Sequence, residues 1–116
     1  MTGGNGCPFC RIVAGEQDAD IVYQDDEITA FWDRSPAAPV HILFVPNRHI
    51  ESVNDLEEDD TELAGRLILQ AKKVAEEQGI AESGYRLFFN AGPDGRQSVY
   101  HLHLHLMGGR RLGIYR

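Results

Sequence analysis

An α+β domain built on a five-stranded antiparallel sheet is the fold class this 116-residue chain predicts. Three observations point to it. Short apolar or alternating runs recur, mostly joined by polar turns of hairpin type. One long stretch of helical period separates the third run from the fourth. Near the end, His101-Leu102-His103-Leu104-His105-Leu106 alternates strictly, as a strand with one buried face does. Hairpin-joined strands with helices set apart from them make an α+β domain with an antiparallel sheet, here with one long helix and one short one.

The elements follow in chain order. Residues 7–14 read as a short helix, with Pro8 at an early position where its missing N–H costs little. Residues 21–23 and 28–32 read as two strands around the polar turn Gln24-Asp25-Asp26-Glu27. Asp33-Arg34-Ser35-Pro36 breaks the second strand, and residues 41–45 form a third that Pro46 stops. The long helix is expected over residues 56–78, opened by a capping box of Asp55 with Glu58. Leu63, Leu67, Ala71 and Val74 recur at helical spacing, with Leu56, Ala64, Ile68 and Ala75 widening the stripe. Gly79 is a stop signal. Gly65 within the stripe carries a helix-propensity cost of about 1 kcal/mol, for which close packing is the expected compensation. Strands at 85–89 and 100–107 complete the set.

Composition narrows the function. Hydrophobic residues make up 42% of the chain and charged ones 25%, ordinary values for a globular protein. With 11 basic and 18 acidic residues the net charge is −7, which argues against broad nucleic-acid binding. A small anion is still admissible, because a local nest of backbone amides can hold phosphate in an acidic protein. No apolar run approaches the ~18–20 residues of a membrane span, so no membrane partner is expected. Residues 1–6 read as a flexible lead-in to a single domain over 7–116, without the features of a secretory signal. A cytoplasmic location follows as the expectation, and there Cys7 and Cys10 are free or metal-bound rather than disulfide-linked.

The alternating segment carries the chemistry. On an extended strand His101, His103 and His105 line one face at intervals of roughly 6.5–7 Å, while Leu102, Leu104 and Leu106 enter the core. Imidazole is the side chain that attacks, shuttles protons or binds metal at neutral pH. The loop before it, residues 90–98, combines glycines with small polar donors, and such backbone can approach and cradle an anion. Cys7-Pro8-Phe9-Cys10 supplies two thiols at ligand spacing, which need two further ligands to close a tetrahedral zinc site. His41, His49 and the three alternating histidines are the candidates, and two free thiols are the alternative.

Residues 97–110, Gln-Ser-Val-Tyr-His-Leu-His-Leu-His-Leu-Met-Gly-Gly-Arg, resemble the signature of the histidine-triad (HIT) family. The Gln-Ser pair and the Gly-Gly-Arg ending are similar to its Hint branch of purine nucleoside phosphoramidases. The likeness runs back through Asp33, Ser35-Pro36, Pro39, His41 and Pro46-Asn47-Arg48-His49-Ile50. It implies a HIT-like fold that dimerises into one continuous sheet of ten strands. It implies a nucleotide hydrolase or transferase acting at the α-phosphate of purine phosphoramidates through a covalent nucleotidyl-histidine. His103 matches the nucleophile, His105 the α-phosphate contact, and His101 and His41 groups that support the geometry. Ser98 matches a serine near the scissile bond, with an ordinary turn serine as the alternative. Asp33 matches the carboxylate for the ribose hydroxyls, Asn90 a nucleotide contact, and the amides near Gln97 and Ser98 the stabilisers of developing charge. Phe9 and Ile12 match the walls of the purine pocket, with core packing as the equal alternative. The resemblance further implies a structural zinc on Cys7, Cys10, His49 and His101, and no cofactor for catalysis.

The chain departs from the family pattern at Trp32, where several Hint proteins have histidine, and at Arg96, often glycine. The tail from Leu112 to Arg116 differs from that of the animal proteins, which leaves leaving-group preference open. A dinucleoside-polyphosphate hydrolase, a nucleotide-binding adaptor, and a metal-dependent enzyme with all three histidines as ligands are the competing readings.

Overall fold

Every strand of the sheet runs antiparallel to its neighbours. In the computed structural model, which describes residues 6–114, the order is β1(Ile21–Gln24), β2(Ile28–Trp32), β3(Val40–Pro46), then β5(Leu104–Gly108), with β4(Tyr85–Phe89) at the edge. The expected α+β architecture is present, as are both helices: α1(Pro8–Val13) and α2(Thr61–Glu77). Met1 to Asn5 of the expected lead-in, and Tyr115 and Arg116, lie outside the described residues. Among the described residues no helix is long and apolar enough to cross a membrane.

Two faces of the sheet hold two separate cores. On one, α2 buries Leu67, Ala71, Val74 and Ala75 against Ile42 and Phe44 of β3 and against Leu102, Leu104 and Leu106. On the other, α1 lays Phe9 and Ile12 over Phe31, Leu43 and Val45. Period-2 alternation lets β2 and β3 serve both cores, and lets β5 bury Leu104 and Leu106 on one face while His105 reaches the other. Cys7 caps α1, its sulfur accepting from the Cys10 N–H at 3.2 Å.

Four expectations need correction. The long helix begins at Thr61 rather than at 56, because two 3-10 turns, Val53–Asp55 and Glu58–Asp60, precede it. Asp55 is therefore the third residue of a box opened by Ser52, accepting from its N–H at 3.2 Å, and not a cap for Glu58. Gly65 faces open space, so close packing within this chain is not what it serves. Lastly, β5 starts at Leu104 rather than at 100. Phe44 and Leu104 form the last pair of the β3–β5 ladder; before it the chain swings to Ile50, whose carbonyl accepts the Leu102 N–H at 2.6 Å.

Gly79 ends α2 as expected, at φ +75° where a side chain is disfavoured. Arg96 adopts a left-handed φ of 61°, a conformation open to glycine without strain, at the position where the resemblance implies glycine.

The β1–β2 turn is tied to α2 by one carboxylate. Asp25 accepts from the Tyr23 hydroxyl at 2.6 Å, from the amides of Glu27 and Ile28 at 2.8 Å each, and from Arg66 of α2 at 2.6 Å. Burial alone would push this carboxyl up, but those four donors outweigh it and hold Asp25 well below the usual carboxylate range. Stability from a depressed carboxylate is present above its unfolded value near ~3.9 and is lost as pH falls towards the folded value. Asp25→Ala is expected to destabilise the fold by about 1–3 kcal/mol near neutral pH, with the deficit shrinking at acid pH. Denaturant titrations of both proteins at pH 7 and pH 3 measure it; equal midpoints at pH 7 would refute the role.

Candidate active site

The face of the sheet covered by α1 opens into a cleft of about 780 Å³. Phe9, Ile12, Phe31 and Leu43 give it apolar walls, and Asp33, Ser98, His103 and His105 bring polar groups into it. Its size and this mixture of apolar wall with few converging polar groups suit a small organic ligand. Asp33 reaches it from the end of β2, Ser98 from the loop before β5, and His103 and His105 from the start of β5, where His105 stands between Leu43 of β3 and Phe88 of β4 in the ladder.

Hydrogen bonds fix which nitrogen of each imidazole carries the proton. The Ala37 N–H donates to His41 Nδ1 at 3.0 Å, so neutral His41 is protonated at Nε2. That Nε2–H donates to His105 Nδ1 at 3.0 Å, with an Asp33 carboxylate oxygen 3.5 Å away. His105 is then protonated at Nε2, and this buried atom has no partner among the described residues. An unsatisfied buried donor is costly, and it marks where an acceptor from a ligand belongs. His103 has the opposite arrangement. Its Nδ1–H donates to the His101 carbonyl at 2.7 Å, which leaves the Nε2 lone pair as its reactive side.

Burial keeps these rings neutral. Desolvation, with smaller contributions from the neighbouring imidazoles, takes His105 down to about 3. It likewise lowers His103 and His41, against a partial opposing pull from the His101 carbonyl on the first and from Asp33 on the second. A neutral ring with a fixed tautomer is what a nucleophilic histidine requires.

His101 points elsewhere. It is fully buried, and its Nε2–H donates to the Pro46 carbonyl at 2.8 Å, which turns the Nδ1 lone pair towards Cys7 Sγ at 3.2 Å and Cys10 Sγ at 3.5 Å. His49 Nδ1 lies 3.3 Å from Cys10 Sγ. All four ligand atoms fall within 4.8 Å of one another. Zinc–ligand bonds of about 2.0–2.3 Å at tetrahedral angles require ligand–ligand edges of roughly 3.5 Å, so the cluster is already close to the geometry of a closed Cys2His2 site. The Pro46 carbonyl is the outer partner that such a histidine ligand needs. These four residues can hold a metal ion.

Asp33, His41 and His105 also converge closely enough for a metal. There the tautomers oppose it: the facing nitrogens of His41 and His105 share a proton, and His41 Nδ1 is occupied by the Ala37 N–H. The reading with all three alternating histidines as ligands fails for a further reason, since His101 turns to the cysteines while His103 and His105 face the cleft.

Of the expected site residues, Phe9, Ile12, Asp33, Ser98, His103 and His105 line the cleft. The single row expected of the three histidines is broken at its first member, which meets His103 through its backbone carbonyl. His41 lies behind His105 rather than in the cleft. Asn90, directly after β4, does not line it. Nor does Gln97, whose side chain holds the loop together: its amide donates to the carbonyls of Glu51 at 2.7 Å and Val99 at 3.0 Å and accepts from the Gly92 N–H at 3.0 Å. Phe88 was not singled out from sequence, yet it stacks on His105 at 4.4 Å between ring centroids and 7° between planes. A signal existed: Tyr85, Leu87 and Phe89 face the helix-covered core, which leaves an apolar Phe88 on the opposite, functional face.

Fold and site together define a histidine-triad protein, with one imidazole presenting a lone pair and the next a proton to a ligand cleft. The family described as "Scavenger mRNA decapping enzyme C-term binding" matches residues 6–112. A purine nucleoside phosphoramidase of Escherichia coli K12 is 53% identical over 105 residues, which cover 90% of this chain and 88% of that protein. A HIT family hydrolase from Legionella pneumophila shares the fold at a TM-score of 0.90, with 48% identity, over 92% of this chain and 96% of that one. A zinc-bound histidine triad protein from Mycobacterium smegmatis matches at a TM-score of 0.80 and 28% identity, over 93% and 78% of the two chains. This chain belongs to the histidine-triad (HIT) family.

Proposed function

We propose that the protein is a nucleotide hydrolase that cleaves purine nucleoside phosphoramidates at the α-phosphate. The observation that carries this reading is the pairing of the His103 Nε2 lone pair with the orphaned His105 Nε2–H in one cleft. The similarity to a purine nucleoside phosphoramidase supports it.

The geometry gives each residue a task. Phe9 and Ile12 flank the purine, and Asp33 accepts the ribose hydroxyls, a pairing that two carboxylate oxygens suit. The His105 Nε2–H donates to a non-bridging phosphate oxygen, and His41 keeps the proton on that nitrogen. His103 Nε2 attacks phosphorus; the new N–P bond forms as the bond to the leaving nitrogen breaks. The leaving amine takes a proton from the Ser98 hydroxyl on the exposed side of the cleft. Water then adds to phosphorus as the N–P bond breaks; the proton it gives up returns to the Ser98 oxygen through solvent, and the nucleoside monophosphate leaves with the His103 lone pair restored. Nδ1 of His103 stays protonated through its bond to the His101 carbonyl.

Zinc on Cys7, Cys10, His49 and His101 is structural in this reading, with all four positions filled by protein. A reducing cytoplasm suits thiols kept as metal ligands. The protein is a homodimer joined through the β4 edge and the outer face of α2. That face presents Ile68 at 47% and Leu69 at 59% exposure beside the bare backbone of Gly65, and β4 leaves one side of its ladder unpaired in the sheet order.

Three outcomes are expected. His103→Ala should lower kcat on an adenosine phosphoramidate by on the order of 10³-fold or more while AMP still binds. Intact mass after an early quench should show a nucleotidyl adduct on the wild type and none on the variant; turnover by the alanine protein would end the assignment.

Metal removal should lower the melting temperature by about 10 °C, since a ligand bound only by the folded state stabilises it by several kcal/mol at large excess over its Kd. Cys7→Ser should mimic chelation, whereas His103→Ala should keep its metal. Elemental analysis showing well under one zinc per chain, with both thiols freely titratable, would refute the site.

Light scattering at micromolar concentration should report twice the mass of the chain, and Leu69→Arg should shift it towards one. A monomeric wild type would refute the dimer.

A further inference from the structure

We propose that Phe88 is a positioning residue for catalysis, whose ring sets the plane in which His105 presents its Nε2–H to the phosphate. This inference rests on the phosphoryl-transfer reading above and names a residue that the reading does not require. Phe88 and His105 are direct partners across the β4–β5 ladder. Their rings are nearly parallel, 7° apart in plane, with centroids 4.4 Å apart. The other imidazoles beside His105 are inclined to it, His41 by 37° and His103 by 52°. Only Phe88, among the described residues, offers it a parallel face.

The geometry explains why such a face is needed. The terminal torsion of histidine is broad and roughly two-fold, so the strand alone fixes neither the tilt of the ring nor which edge faces the cleft. A stacked aromatic limits the tilt but cannot tell the two edges apart, because a half-turn of imidazole keeps it in the same plane. The His41 Nε2–H, donating to His105 Nδ1 at 3.0 Å, selects the edge but permits the ring to pivot about that bond. The two constraints are complementary, and together they leave one direction for the Nε2–H. That atom is the buried donor with no protein partner among the described residues, so no hydrogen bond of its own fixes its direction. Misplacement of a reacting or stabilising group by about 1 Å is enough to cost on the order of 100-fold in rate.

The test separates a planar face from mere bulk. Phe88→Ile keeps an apolar residue suited to a strand but removes the face, and Phe88→Tyr restores it. With an adenosine phosphoramidate, Phe88→Ile is expected to lose about 10- to 100-fold in kcat with little change in KM or in AMP binding, and Phe88→Tyr to recover most of it. Side-chain nitrogen NMR should show His105 of the wild type as a single Nε2–H tautomer with its ring protons shifted upfield by the stacked face. In the isoleucine variant those signals should average. Wild-type kcat in Phe88→Ile, or a loss that Phe88→Tyr does not recover, would overturn the proposal. If the isoleucine variant does not fold, the wild-type spectrum decides: mixed tautomers or no ring-current shift would overturn it. A wild type that does not turn over phosphoramidates would instead sink the functional reading, and the spectroscopic arm would still report on the ring.

Discussion

Burial of Leu102, Leu104 and Leu106 against α2 is the constraint on which the site depends. All three are at most 2% exposed and belong to the core cluster of the α2 face. Burying each leucine is worth about 1.5–3 kcal/mol, so the three together rival the net stability of a small domain. A slip of one residue would turn the leucines out and drive imidazoles into that core. Every such register is therefore closed to the chain. His103 and His105 are delivered to the cleft by the side of the strand that does no chemistry.

Register sets which way a ring faces, and backbone groups set what each ring can do. Three hydrogen bonds divide the imidazoles into distinct chemical species: the Ala37 amide acts on His41, the His101 carbonyl on His103, and the Pro46 carbonyl on His101. Because these partners are main-chain groups of a packed fold, they need no rearrangement when a ligand arrives, which is the basis of electrostatic preorganisation. His101 joins two sites in one residue. Its ring faces the cysteines and its carbonyl holds the nucleophile, so a metal on the cluster would stiffen the group that fixes the tautomer of His103.

Legibility in the sequence followed the range of the interactions involved. The bounds of β2 and β4 are set by local turn chemistry and match the sequence reading, while α1 spans Pro8–Val13, one residue shorter at each end than the 7–14 expected because Cys7 and Ala14 are its caps. The separation of leucines from histidines was also legible, since alternation reports a buried face directly. The starts of α2 and β5 were not. Ser52 with Asp55, and Glu57 with Asp60, each close a short turn that looks from sequence like the opening of one helix. Alternation continues through His101 to His103, but the ladder does not, because Leu102 pairs with the distant Ile50. Gln97 has the composition of a ligand-binding loop residue and serves instead to brace that loop, which depends on the Glu51 carbonyl, 46 positions away. Alternation along β4 places Phe88 on the functional face, but which ring it meets there is set by the β4–β5 register that pairs it with His105, and no pattern within either strand contains that register.

The acidity of the chain bears on what the cleft accepts. Its net charge is −7, and Asp18, Asp20 and Asp33 line the cleft with Arg34 as the opposing charge. A polyanion approaching this rim meets more like charge than opposite charge. The His105 Nε2–H works by a different principle. A neutral donor, buried and already oriented, attracts a phosphate oxygen over hydrogen-bond distance only, and its strength grows as water leaves the site. Recognition of this kind favours a ligand whose single phosphate is presented at the right depth by a flat apolar group between the cleft walls. An acidic cleft with neutral, oriented imidazoles thus selects by shape and hydrogen-bond geometry before it selects by charge.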